Sequence, residues 1–446
     1  MPLKWDNSMN KKLRFQTALV GDQWKQNVEI SISDEGLVKS IECDVEGGVF
    51  EKLIALPGMV NVHSHAFQRG FAGLSEYRTA TNDSFWTWRK LMYDFVHRLT
   101  PGEVYIIAKQ LYREMLTAGY TWVGEFHYIH NEAGGAACAN PGEMSDAIFR
   151  AAADTGIGLC HLPVLYQRGG FEDEPIVAGQ DRFVLSTDRF CELVDQCHTK
   201  SKTLTNVEVG IAIHSLRAAS IEEALTAIDH VRKVEAKIPI HIHVAEQTAE
   251  IEACVEAHGK RSVEFLYDNL PVDEHWCLIH ATHLNDSELQ QIAKSKAVVG
   301  LCPTTEANLG DGIFQAEEFL AANGRFSIGS DSHCSIDLRE ELRILEYGQR
   351  LTTRRRAILG SDDLSVGRNL YCQAAKGGAQ AVGINAGEIA IGKRADFTLI
   401  DPMHPSIGDV HGDRILDRLV FTNIGNPVAG VVVGGRLLVP ALAESI

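Results

Sequence analysis

The chain has 446 residues, with 42 Lys+Arg against 59 Asp+Glu, and a formal net charge of −17. Its 45 % apolar and 23 % charged composition is that of a folded globular protein and excludes a disordered chain. A balance this acidic argues against nucleic acid or an anionic membrane as partner, because both bind basic patches.

Met1 to Phe15 is polar and charged, without the apolar stretch of a signal peptide, and no run approaches the roughly 18 apolar residues of a membrane span. The expectation is a soluble, cytoplasmic protein. Residues 12–56 contain strand-like pieces (LRFQTALV, VEISIS, LVKSIEC) separated by turn residues. Eight short β-rich runs then alternate with helical patterns. They are Met59–His65, Thr121–His127, Ile157–Leu165, Val207–His214, Pro239–Ala245, Trp276–Ala281, Ala297–Pro303 and Phe326–Asp331. Residues 220–236 (SIEEALTAIDHVRKVEA) typify the helices, with acids in the first turn, apolar residues at helical spacing and basic residues late.

This alternation predicts a (β/α)8 TIM barrel; Met59 to Asp331 divides into units of about 34 residues, the scale of that fold. A doubly wound sheet would place a Gly-rich phosphate turn after the first strand, where this chain has His63-Ser64-His65. Residues 387–446 return to strand pieces (GEIAIG, ADFTLID, VAGVVVGGRLLV), with Gly434-Gly435 at a hairpin tip. The two ends are expected to pair as a small β-sandwich domain, dividing the chain into 1–57, 58–384 and 385–446. The ten cysteines are scattered without a C-x-x-C pair, so they read as small buried hydrophobes rather than a disulfide framework.

His63 and His65 are two apart on the first strand and share one face. His243, His280 and Asp331 end the fifth, sixth and eighth strand candidates, and in a barrel those ends converge. His63, His65, His243 and Asp331 make a nitrogen/oxygen set suited to zinc, with iron or manganese as alternatives. Glu246, just past the fifth strand, is placed to move protons; the plain alternative is an acid opening a helix. His280 is expected to orient or polarise water, with His241 supporting from deeper in the barrel and His283 outside the ligand set. The fourth strand offers no lysine to bridge a second metal, so one ion is expected.

The segments PGMVNVHSHAFQR, HVAEQ, LIHATHL, GSDSH and GEIAIGKRADFTLID together resemble the amidohydrolase superfamily across residues 12–440. Within it, FQRGFAGLSEYR, SFWTWRKLMY, EFHYIH and IHSLR are similar to the formimidoylglutamate deiminase family. That resemblance implies a barrel with one zinc, a homodimer, and hydrolysis of N-formimidoyl-L-glutamate to N-formyl-L-glutamate and ammonia, a step of histidine degradation. It also suggests Gln68, Arg89, Tyr128, His214 and Arg217 as the residues that bind a small anionic substrate. Arg89 is expected in the long loop after strand one, Tyr128 past strand two and Arg217 past strand four. Guanidinium forks at these positions match the two carboxylates of a glutamate derivative, although either arginine alone also reads as half of a surface ion pair. Arg78 is a lesser candidate contact, and Trp86 and Trp88 read as packing residues. The rival readings are a deaminase of a ring substrate, such as guanine or an adenosine derivative, and a non-catalytic interaction protein on the same fold.

Overall fold

The computed structural model describes residues 11–77, 85–171 and 174–438, apart from the side chains of Lys11, Phe85 and Trp86. Its first four strands are β1 (Lys11–Val20), β2 (Gln23–Ile32), β3 (Val38–Glu42) and β4 (Glu51–Pro57). The barrel strands follow as β5 (Met59–Ser64), β6 (Tyr120–His127), β7 (Gly158–Leu165), β8 (Val207–Val209), β9 (Ile211–Ser215), β10 (Ile240–Val244), β11 (Trp276–His280), β12 (Val298–Leu301) and β13 (Arg325–Ile328). The last strands among the described residues are β14 (Phe397–Ile400), β15 (Val428–Val433) and β16 (Arg436–Leu438).

The β5–β13 strands run parallel in the order 13-12-11-10-9-7-6-5, with β8 also paired to β7. A parallel bridge between Ser64 and Asp331 joins the outer strands and closes a (β/α)8 barrel. The fourth stave is broken into β8 and β9 at Gly210, where an added Cβ would lie 2.6 Å from both Leu162 and the Pro239 carbonyl. Around the strands pack amphipathic helices. Ile221–Val234 starts with a capping box between Ser220 and Glu223 and buries Ala224, Ala227, Ile228 and Val231 on one face. Among the described residues, no helix is long and apolar enough to cross a membrane.

Both ends of the chain build one seven-stranded sheet, in the order 16-15-14-4-1-2-3. Its central member, β4, pairs parallel with β1 and antiparallel with β14, so it ties one end of the chain to the other. Strand alternation divides these side chains between two cores. Leu53, Ala55, Phe397, Leu399 and Val432 fill the small sheet's own core. Ile54, Leu56, Ile400, Val431 and Val433 pack into the barrel's core. Two local expectations differ from this structure. The strand-like GEIAIG contributes only a bridge, Val20 to Ile389, because Gly387 and Gly392 take positive φ and turn the chain. Residues 85–96 form a helix rather than a loop, since Met92, Tyr93 and Val96 recur at helical spacing and are buried.

Candidate active site

The C-terminal ends of the barrel strands bring His63, His65, His243, His280 and Asp331 into one buried cluster. His63 Nε2 lies 3.0 Å from His243 Nε2 and 3.4 Å from Asp331 Oδ1; His65 Nε2 lies 3.3 Å from the same oxygen. Burial lowers the pKa of all three imidazoles and keeps them neutral. The Nδ1–H of His65 donates to the Phe126 carbonyl at 2.9 Å, and that of His243 to the His214 carbonyl at 2.9 Å. Those bonds set the tautomers and leave Nε2 of each ring with a bare lone pair. With the Asp331 carboxylate, these acceptors face His63 Nε2, which has at most one proton to offer. A divalent cation satisfies such a convergence, and the donor set fits zinc.

The backbone here is strained. Ala245, His280, Ala281 and Asp331 have φ of 53°, 67°, 48° and 46°, values that non-glycine residues rarely adopt. In β10's exit turn, the Glu250 carboxylate accepts from the amides of Ala245 and Glu246 at 3.1 and 3.3 Å. That turn aims Glu246 into the cluster, with Oε1 3.8 Å from His280 Nε2. Burial, opposed by His280, pushes the Glu246 carboxyl up to about 7. Burial opposes protonation of His280, but the carboxylates of Glu246, Glu306 and Asp331 outweigh it and raise its pKa to about 10.

Over the cluster lies a small cavity lined by His65, His243, Glu246, His280 and Asp331, together with Gln68, Arg89, Tyr128, His214 and Arg217. Gln68 donates from Nε2 to the Tyr128 hydroxyl at 2.9 Å, while its buried Oε1 has no partner among the described residues. Burial first, then Arg217, lowers the pKa of His214, so that ring is neutral. Arg89 sits over the Tyr93 ring, 5.6 Å from its centroid, on the Phe85–Val96 helix. Arg78 lies outside the described residues, as does the Trp86 side chain; Trp88 packs on Phe71 at 5.5 Å. His241 lies away from the cavity and donates to the Ala381 carbonyl at 2.8 Å, and His283 to the Asp311 carbonyl at 2.7 Å.

Sequence reasoning missed the cavity's aromatic wall and the group behind His280. Tyr93, Tyr166 and Phe183 line the cavity, and Gln180 donates to the Tyr166 hydroxyl at 2.7 Å. Glu306 accepts from the Cys302 amide at 2.9 Å and from His280 Nδ1 at 3.3 Å through the same Oε1. Its only signal in sequence is an acid in the first turn after Pro303, which reads as ordinary helix-end chemistry.

A family model for the amidohydrolase family matches residues 54–438. The chain belongs to that family. This amidohydrolase is 46 % identical over 427 residues to the formimidoylglutamate deiminase of Pseudomonas aeruginosa, covering 95 % of this chain and 93 % of that one. A solved amidohydrolase from Brucella melitensis is 43 % identical and superposes with a TM-score of 0.89, covering 96 % of this chain and 94 % of that one. An adenosine deaminase from Xanthomonas campestris, solved with bound zinc, shares the fold at a TM-score of 0.78 but 18 % identity, covering 98 % of this chain and 94 % of that one.

Proposed function

We propose that this amidohydrolase hydrolyses N-formimidoyl-L-glutamate to N-formyl-L-glutamate and ammonia, with one zinc ion held by His63, His65, His243 and Asp331. Two guanidiniums, Arg89 and Arg217, line the same small cavity as Glu246 and the histidine cluster, and this observation carries the reading. A dicarboxylate needs two such forks, whereas a neutral purine ring needs none. The near full-length similarity to a formimidoylglutamate deiminase supports the same choice. On this reading residues 58–384 carry the chemistry, and 1–57 with 385–446 form the supporting β-domain of a cytoplasmic homodimer.

When bound, a zinc ion acidifies water and supplies a nucleophile at neutral pH. The chain's own groups do the rest. Arg89 and Arg217 pair with the two carboxylates, and Gln68, Tyr128 and His214 complete the contacts, which holds the formimidoyl carbon against the cluster. Asp331 takes the proton of the attacking water. Glu246 delivers a proton to the imino nitrogen, and His280 stabilises charge developing on the new C–O oxygen. That nitrogen then takes the proton held by Asp331 while the new hydroxyl returns one to Glu246; the C–N bond breaks, ammonia leaves and the formyl group remains.

The test is ammonia release by the zinc-loaded protein from N-formimidoyl-L-glutamate, measured beside guanine and adenosine. Turnover of the first alone supports the proposal. Preference for either ring compound refutes it, and no ammonia from any of them favours a non-catalytic role.

A further inference from the structure

Beside the ligand cluster, on the side away from the cavity, six polar side chains are buried at 0 % exposure: Asn61, Ser64, Tyr112, Glu125, Ser330 and His333. None lines the cavity, so none touches a substrate there. Asn61, Ser64, Ser330 and His333 occupy the barrel's seam, where β5 meets the segment after β13, and Glu125 on β6 and Tyr112 on the Pro101–Ala118 helix lie behind it. The backbone holds this seam with few bonds: Asp331 N–H donates to the His63 carbonyl at 3.0 Å, and His65 N–H to the Asp331 carbonyl at 3.4 Å. Gly329 makes the approach possible, since a Cβ there would lie 2.8 Å from the His63 backbone nitrogen.

The side-chain bonds form one directed chain. Asn61 Nδ2 donates to Ser330 Oγ at 2.6 Å, and Asn61 Oδ1 accepts from the Ser330 amide at 3.1 Å. Ser330 Oγ lies 2.9 Å from His333 Nδ1, and His333 Nε2 lies 3.1 Å from Ser64 Oγ. Ser64 Oγ donates to Glu125 Oε2 at 2.6 Å, which also accepts from the Tyr112 hydroxyl at 3.1 Å. Glu125 Oε1 accepts from the Ala66 amide at 2.7 Å. With the Glu125 carboxyl ionised, a state that burial opposes by pushing its pKa up to about 7, one proton order satisfies the whole set. Ser64 spends its hydrogen on Glu125, so His333 must donate through Nε2–H and accept at Nδ1 from Ser330. The carboxylate is the terminal acceptor on which the direction depends.

We infer that this chain is a positioning device for the metal ligands: anchored on Glu125, it holds Asp331 in register with His63 and His65 across the seam. Ser64 lies between the two histidines, and Ser330 and His333 flank the aspartate on either side. Asp331 and His333 both sit in left-handed backbone, φ 46° and 59°, a conformation that persists only where its surroundings over-determine it. Outer partners of metal ligands typically change metal affinity by about 10–100-fold. The inference rests on the zinc reading above, and the experiment separates the two.

Zinc affinity is measured by competition with a chromophoric chelator for the full-length wild type and for Ser64→Ala, Glu125→Gln, Ser64→Thr and Tyr112→Phe. Steady-state KM is taken in excess zinc, and melting temperature is recorded alongside. Ser64→Ala and Glu125→Gln should each weaken zinc by about 10–100-fold with KM unchanged. Their combination should be no worse than the weaker-binding single variant, because both cut one chain. Ser64→Thr keeps the hydroxyl but crowds a buried site, so it should melt lower than Ser64→Ala yet bind zinc more tightly. That reversed order is one a purely structural role would not produce. Tyr112→Phe should stay within about 3-fold, since Ser64 still serves Glu125 Oε2. If Ser64→Ala does not fold, Ser330→Ala carries the same expectation. Wild-type zinc affinity in both Ser64→Ala and Glu125→Gln, or fully multiplicative effects in the double variant, overturns the positioning inference alone. A wild type that takes up no zinc overturns the metal reading on which it rests.

Discussion

Glu246→Gln should stabilise the metal-free protein while abolishing turnover. The folded-state pKa of Glu246 stands at about 7 against an ordinary 4.5, with burial as the leading cause. A carboxyl raised in this way binds more protons folded than unfolded between these values. Its stability is therefore intact below about pH 4.5 and is lost as pH rises through about 7. A rise from 4.5 to about 7 corresponds to roughly 3 kcal/mol lost by pH 8. The glutamine gives some of this back, because Glu246 is also the first of the carboxylates that hold the His280 imidazolium. A net gain of about 1–3 kcal/mol remains, which in a chain of this length is a few degrees of melting temperature. The assay is calorimetry of chelator-treated protein at pH 8 and pH 5, at matched scan rates because a large protein often unfolds irreversibly. The variant should melt higher at pH 8, and the difference should shrink markedly at pH 5. Zinc-loaded Glu246→Gln should retain its metal and lose about 10²–10⁴ in kcat. Equal or lower melting at pH 8 would mean that the carboxyl is not held against its solvation preference, and near-normal kcat would remove it from proton transfer.

Arg217→Met should lower kcat/KM for formimidoylglutamate by about 10–100-fold, chiefly through KM, the value of one charge-assisted hydrogen bond; unchanged efficiency would end the two-fork account of substrate binding. Glu306→Gln should keep kcat within about 10-fold, because the Cys302 amide orients the carboxamide oxygen onto the atom that also accepts from His280 Nδ1. Glu306→Leu removes that acceptor and should cost at least about 10² in kcat with little change in KM; if the leucine variant turns over normally, Glu306 does not set the His280 tautomer.

The barrel was legible because its signal is local. Each β-rich run from Met59–His65 to Phe326–Asp331 carries its own pattern, and the observed strands fall inside those runs to within a residue or two. Asp331 itself lies beyond β13, which ends at Ile328; the sequence places it at a strand end, but not in the left-handed turn that swings it back to Ser64. β4 was not singled out as a strand, although EKLIALP is the central member of the terminal sheet. Its role comes from pairing with β1 and β14, partners far apart along the chain. Glu125 and Glu306 were hidden for a different reason. One sits inside a continuous buried strand and the other in a helix's first turn, and neither position betrays what the fold lays against it.

The seam, the strained turns and the raised carboxyl describe one arrangement. Acceptors converge on His63 with too few protons among them, Glu246 is buried against its preference, and four residues at the strand ends hold left-handed φ. Each feature costs stability on its own, of the order of 1–3 kcal/mol for a strained backbone position. They persist because the elements beneath them are over-determined: β5, β6, β10 and β11 are buried along their whole length. On the proposed reading a cation satisfies the converging acceptors against the repulsion of the His280 imidazolium, so part of the energy stored in the metal-free site becomes binding energy for the ion. The same logic explains how a chain with a net charge of −17 can accept a dianion. Charges on the outer surface are screened within about 8 Å at physiological salt, whereas Arg89 and Arg217 line the cavity itself. His214 stays neutral beside Arg217, so on the proposed reading attraction there rests on the guanidinium forks rather than on a diffuse positive field. Recognition then depends on where two carboxylates sit relative to the cluster, and a shorter or longer spacer would pull the reacting carbon away from Glu246 and His280.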